Sequence, residues 1–146
     1  MKKLFSVMVV GSLLCWMLVA GARAQEPGTA IRASIPFDFV VRGKTLRAGE
    51  YDVTRVLDEP VDLLLRNVND KHEHVMFETE PMEAHRIARH SVLVFTRYGD
   101  TYYLSEVLEA GEQTGRELIP SQAERELRAD MARNQVQPET VTVALN

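Results

Sequence analysis

The sequence predicts an all-β, mainly antiparallel single domain of about seven or eight strands, closed as a small barrel or stacked as a sandwich, with one C-terminal helix packed on it. Three observations predict it. Apolar side chains recur at every second position from Ile31 to Val41 and again in later segments. A glycine-first turn, Gly99-Asp100, joins two runs rich in β-branched and aromatic residues. One segment alone, beginning at Ser121, carries the start signals of a helix. The alternation gives each strand one buried flank, and it leaves barrel and sandwich equally open.

The chain begins Met1-Lys2-Lys3, runs apolar from Leu4 to Ala20 and reaches Ala22-Arg23-Ala24 before Gln25. A cationic start, an apolar middle and small residues before a cut describe a secretory signal peptide over residues 1–24, removed after Ala24. A retained anchor is the rival reading, because the apolar run reaches the lower end of a spanning length of roughly 17 to 25 residues; the small-residue site favours cleavage. Cys15 lies mid-run behind Leu14, which does not suit lipidation. Residues 25–29 read as a short flexible lead-in, and residues 30–146 as the domain. Export to the periplasm or beyond the cell follows.

Cleavage changes the balance of the chain. The whole sequence has 17 Lys and Arg against 21 Asp and Glu; losing Lys2, Lys3 and Arg23 leaves 14 against 21, a formal charge of −7. Cys15 and Trp16 leave as well, so the mature chain is cysteine-free and is held by its core alone, without disulfides or thiolate chemistry. The 122 residues that remain are enough for that, since a domain of this size buries roughly two thirds of its unfolded surface. Negative charge and scattered arginines argue against nucleic acid, whose binding exchanges a cationic face for counterions.

The elements follow in order. Ile31, Ala33, Ile35, Phe37, Phe39 and Val41 alternate with Arg32, Ser34, Pro36, Asp38, Val40 and Arg42 and read as one strand, with Pro36 placing it at an edge or at a bulge. Gly43-Lys44 turns the chain, and Leu46 to Tyr51 bends it again, with Gly49 free to take positive φ. Tyr51 to Val56 and Val61 to Asn67 are strands separated by the turn residues Asp58-Glu59-Pro60. A three-residue loop, Val68-Asn69-Asp70, sets Val61 against Phe77 and Leu63 against Val75. A two-residue loop would set Asp62 opposite Phe77, sending apolar groups to the wrong face. Pro81 to His90 is expected to interrupt the strands as a loop or one helical turn. Ser91 to Tyr98 and Thr101 to Leu108 form a hairpin in which Phe95 faces Leu104, Val92 faces Val107, Thr96 faces Tyr103 and Arg97 faces Tyr102. The helix spans about 121–134, with Ser121 as cap, Glu124 reaching back and Ala123, Leu127 and Met131 as a thin apolar stripe. A final strand, about 140–145, buries Val141, Val143 and Leu145.

The runs FDFVVRGKTLRAGEYDV, LLLRN, FTRYGDTYYLSEV and GRELIPSQAERELR resemble a family of small exported bacterial β-rich proteins to which no function is attached. The resemblance covers nearly all of the mature chain. It implies export and a β-rich domain, and it supplies no activity. Proline is expected in that family where this chain has Arg47, which implies a looser bend at Leu46 to Glu50.

Three constellations are candidates for chemistry. His72 and His74, two apart on an expected strand, would leave one face as metal ligands do, yet the expected register sets Arg66 opposite His72 and offers no third donor. His85, Arg86, Arg89 and His90 form a basic cluster that would align on a helical turn and bind an anion; its alternative is a hydrated loop paired with Glu78, Glu80 and Glu83. Arg97, Asp100 and the tyrosines of the hairpin have sufficient structural roles. No nucleophile elbow, phosphate-cradling glycine loop or His-Glu-x-x-His run is present, and no cofactor is expected. An outer-membrane barrel would turn Arg32, Asp38, Arg42, Asp52, Arg55, Asp62 and Arg66 toward lipid. The function expected is therefore a non-enzymatic exported binding or interaction module, using an interior pocket or the edge strand from Ile31, with an envelope protein or small ligand as partner and no membrane span after cleavage. The alternatives are a small hydrolytic or metal-dependent enzyme using His72, His74 or His85, and a self-associating structural envelope protein.

Overall fold

The computed structural model describes residues 30–56 and 62–146. The expected leader, the lead-in and the turn at Asp58-Glu59-Pro60, with Val61 and its pairing, lie outside the described residues. Ten strands and one helix follow in the order β1 (Ile31–Ile35), β2 (Phe39–Val41), β3 (Lys44–Leu46), β4 (Gly49–Arg55), β5 (Asp62–Asn67), β6 (His74–Glu83), β7 (Val92–Tyr98), β8 (Thr101–Leu108), β9 (Thr114–Leu118), α1 (Gln122–Arg133) and β10 (Glu139–Ala144). All pairings are antiparallel except that of β2 with β8.

The strands form a bent, barrel-like sandwich. The path runs β1-β4-β5-β6-β9-β8-β2-β3, with β7 beside β8 and β10 beside β7. β6 is the corner: its first half pairs with β5 and its second half with β9. The opposite corner does not close as a ladder. There β1 and the end of the chain meet at one bridge, Ala33 with Leu145, flanked by Arg32 N–H to Asn146 O at 3.0 Å and Asn146 N–H to Arg32 O at 2.8 Å. The N-terminal half of β1 is thus covered by the chain's own C-terminus, so the strand expected to be a free edge is partly occupied.

The period-two faces hold throughout. Ala33, Ile35, Phe39, Val41, Tyr51, Val53, Leu63, Leu65, Phe77, Leu93, Phe95 and Leu104 all lie in one core between the sheets. The single strand expected from Ile31 to Val41 is instead two strands in opposite parts of the sheet. Pro36 cannot donate to a ladder, and the chain crosses at residues 36–38. Phe37 in that crossing stacks on Tyr102, with ring centroids 3.9 Å apart. The crossing uses three residues, so the burial parity of Phe39 and Val41 survives.

Turn chemistry explains the other departures. The β2–β3 turn is Arg42-Gly43, with φ of 51° and 85°, one residue earlier than expected. Gly49 does not use positive φ; it opens β4, and a Cβ there would stand 3.2 Å from Asn67 Nδ2. The β5–β6 loop is longer than expected, so Leu63 faces Phe77 and Leu65 faces Val75, a shift of two that preserves both faces. Asn67 builds that loop: its Oδ1 accepts from Asn69 N–H at 2.9 Å and Asp70 N–H at 3.1 Å.

β6 does not stop at Pro81. Ala84 N–H donates to Gln113 O at 2.8 Å, toward β9, so Pro81, an odd number of residues away, turns its nitrogen from β9. The described part of β5 starts at Asp62, opposite Glu78, so among the described residues no ladder bond is lost. In the β7–β8 hairpin the expected register holds from Phe95 to Tyr98, but a bulge at Val94/Phe95 sets Leu93, not Val92, opposite Val107. Gly99 has φ of 63°, and Asp100 is not among the positive-φ residues, which makes the turn type II′.

α1 begins as expected, with Ser121 Oγ accepting from Glu124 N–H at 3.3 Å. Its packed face is not the expected stripe. Ala123 is exposed and Leu127 is 37% exposed, whereas Glu124 is 9% exposed and faces Tyr98 and Tyr103 with Arg128. The tyrosine hydroxyls at the turn end of the hairpin offer polar partners, so a Glu–Arg pair covers them better than an apolar stripe.

Candidate functional site

The residues singled out by sequence are placed apart. His72 lies in the β5–β6 turn, its N–H bonded to Asp70 Oδ1 at 3.1 Å, and His74 opens β6 opposite Arg66. They share no strand face, so the structure does not bring the two rings together as a pair of ligands. Among the described residues no group of three or more His, Cys, Asp or Glu side chains is arranged to hold a metal ion. His85, Arg86, Arg89 and His90 are all exposed on two successive bends between β6 and β7, without the helical turn that would align them. Of the four, His85 stands near enough to Glu106 to oppose the rise of its carboxyl. The hairpin residues serve structure: Arg97 donates to Gly99 O at 2.7 Å and Glu139 Oε2 at 3.0 Å, and its guanidinium lies 5.5 Å from the centre of the Tyr102 ring.

The feature that sequence reasoning missed is a cleft at one end of the sandwich. Its inner chamber, about 240 Å³, is lined by Ile31, Val53, Leu63, Val107 and Leu145, with Arg55 and Glu109 at the rim. Four of these five apolar residues belong to the buried core, so the chamber is a gap between the sheets themselves. An outer vestibule of about 330 Å³ shares Arg55, Val107 and Glu109 with the chamber and adds Pro81, Glu112 and Arg116 among its walls. Arg55 and Glu109 form an ion pair across the rim, from β4 to the residue after β8. Their side chains are 51% and 36% exposed. An exposed pair of this kind contributes at most about 1 kcal/mol, so it orders the rim without sealing it.

Arg116 stands on the inner side of β9, opposite Pro81 and Val107. One of its nitrogens donates to Thr79 Oγ1 at 3.3 Å. Gly115 beside it packs closely under Leu108, whose side chain would have to move to admit a Cβ there. A strand pattern of the kind Thr114-Gly115-Arg116-Glu117-Leu118 has little apolar alternation, which is why β9 and its arginine were not visible in the sequence.

A second groove lies on the outer face, beside α1, with Glu80, Ser105, Glu106, Glu117, Glu124 and Arg128 among its walls. Register sets Glu80 opposite Glu117 and Glu117 opposite Glu106, three carboxylates in a row across β6, β9 and β8. Burial pushes the Glu106 carboxyl above its ordinary range, with His85 opposing and Glu117 adding to the rise. Burial likewise raises Glu124, against the pull of Arg128 and the Ser121 N–H.

A polar knot holds the far end of the sandwich. Glu73 accepts from Arg47 N–H at 2.9 Å and from Asn67 Nδ2 at 2.7 Å, and Tyr51 O–H donates to Arg47 O at 2.7 Å. The Arg47 guanidinium adds ion pairs to Glu73 and Asp70. The bend at Leu46 to Glu50 is therefore tied to the β5–β6 loop by Arg47. Burial pushes the Tyr51 hydroxyl up to about 12.

No family model matches this chain, and neither a curated protein nor a solved structure matches it.

Proposed function

We propose that the protein is an exported, non-enzymatic binding module of the cell envelope that takes the apolar part of a small ligand into the chamber between its sheets. The observation that carries this is the chamber itself: Val53, Leu63, Val107 and Leu145 are core side chains, yet they border about 240 Å³ of space that opens past Arg55 and Glu109. Protein cores are normally packed to crystal density, and an apolar space in contact with solvent is a place where a ligand gains what the core forgoes. Export is supported by the run from Met1 to Ala24, and a secreted chain whose mass begins at Gln25 is the expected product. Among the described residues no helix is long and apolar enough to cross a membrane.

The test is binding of an uncharged, environment-sensitive naphthylamine dye. Saturable fluorescence enhancement is expected with the wild-type chain and loss of it with Val53→Phe or Val107→Phe, each of which fills the chamber, provided far-ultraviolet dichroism shows that the variant folds. Equal enhancement in folded, filled variants would reject the chamber as the site. A separate surface, for anions, is proposed at His85, Arg86, Arg89 and His90, because Arg86 and Arg89 have no ion-pair partner among the described residues. Phosphate titration that leaves the His85 and His90 NMR signals in place removes it.

A further inference from the structure

Of the two cations in the walls of the cleft, Arg55 is matched by Glu109. Arg116 is not matched by any carboxylate among the described residues; its one hydrogen bond goes to the neutral hydroxyl of Thr79 at 3.3 Å. A guanidinium carries five N–H donors in a planar fork, so most of the donor capacity of this half-buried group is unspent on the inner side of the sheet. The fork fits a carboxylate with two parallel, charge-assisted bonds. Arg116 lines the vestibule with Val107, and Val107 also lines the apolar chamber, so the two spaces adjoin and a head at Arg116 lies next to a chain in the chamber.

Resting on the chamber reading above, we infer that the ligand is a single-chain amphiphile with a carboxylate head: the chain lies among Val53, Leu63, Val107 and Leu145, and the head meets the Arg116 guanidinium. The acidic residues of the vestibule favour a head of one charge over a phosphate of two, because Glu109 and the exposed Glu112 stand in the same walls. The entry path is the rim. The Arg55–Glu109 pair is exposed, and parting it for a passing chain costs little.

The test is titration of the full mature chain with a homologous series of straight-chain carboxylates, beside alcohols and amines of matched length. Affinity is expected to rise about fourfold with each added methylene and to level off once the chamber is full. At equal length the carboxylate is expected to bind about tenfold more tightly than the alcohol or better. Arg116→Gln should abolish that advantage while sparing the alcohols, and Arg116→Lys should restore part of it. Carboxylates and alcohols of equal affinity, or amines binding most tightly, would overturn the head-group inference and leave the chamber reading intact. A series in which nothing binds would remove both. If Arg116→Gln does not fold, the wild-type ratio of carboxylate to alcohol, and its decline with added salt, decides the matter.

Discussion

Replacing Asn67 by alanine removes the centre of the polar knot that ties the β3–β4 bend to the β5–β6 loop. Asn67 is 7% exposed and its side chain makes three hydrogen bonds: Nδ2 to Glu73 Oε2 at 2.7 Å, and Oδ1 from the N–H groups of Asn69 and Asp70. The first goes to a carboxylate whose side chain is only 12% exposed, and a bond of that kind contributes about 1.5 to 3 kcal/mol. The other two leave N–H groups near the surface, where water replaces much of what is lost. The loss expected is about 2 to 4 kcal/mol, read as the shift in urea midpoint at unchanged m-value, with Tm falling by about 10 °C. Asn69→Ala is the control, since Asn69 is exposed and only its backbone N–H enters the knot. A loss below about 0.5 kcal/mol for Asn67→Ala, or one equal to that of Asn69→Ala, would show that Asn67 does not hold the loop.

The same knot predicts pH dependence. Burial pushes the Glu73 carboxyl up, but the Arg47 N–H, the Arg47 charge and the Asn67 hydrogen bond together hold it below the ordinary 4.5. A depressed carboxylate stabilises the fold above its unfolded value and loses that contribution as pH falls through the folded one, so Glu73→Gln should flatten acid unfolding below about pH 4.5. Arg47→Pro removes the N–H that Glu73 accepts at 2.9 Å and both guanidinium pairs; a loss of about 1 to 3 kcal/mol in chemical denaturation is expected, and an unchanged midpoint would contradict the role given to Arg47. Glu117→Gln relieves the row from Glu80 to Glu106 and should stabilise by about 0.2 to 1 kcal/mol per relieved pair at neutral pH. The raised Glu106 makes the wild type gain stability as pH falls toward its unfolded value, and the variant should show less of that gain. In an alkaline spectrophotometric titration Tyr51 should ionise last, near pH 12 or with unfolding, and a tyrosine signal complete at pH 10 would contradict its burial.

What the sequence made legible was the set of faces. Period-two alternation needs only that a strand hide one flank, and Ala33, Ile35, Phe39, Val41, Leu63, Leu65 and Phe95 are all buried as it requires. The type II′ turn at Gly99 and the Ser121 cap were equally legible, because each is set by a few adjacent residues. Partner choice was not. The crossing at residues 36–38, the bulge at Val94/Phe95, the passage of β6 from β5 to β9 and the parallel pairing of β2 with β8 are settled by tertiary packing that alternation does not encode. The cleft was hidden for the same reason. Its lining comes from β1, β4, β5, β8 and the chain end, and nothing local distinguishes a Val107 beside a chamber from a Val107 in a filled core.

The most direct measurement is methyl-selective NMR of the Ile, Leu and Val side chains during addition of a long-chain carboxylate. Saturable shifts are expected, centred on Ile31, Val53, Leu63, Val107 and Leu145, with the Arg116 guanidinium signals moving at the same ligand concentration. Saturable shifts centred instead on the exposed apolar residues Ile87, Leu127 and Val136, or spectra unchanged at saturating ligand, would contradict binding in the chamber.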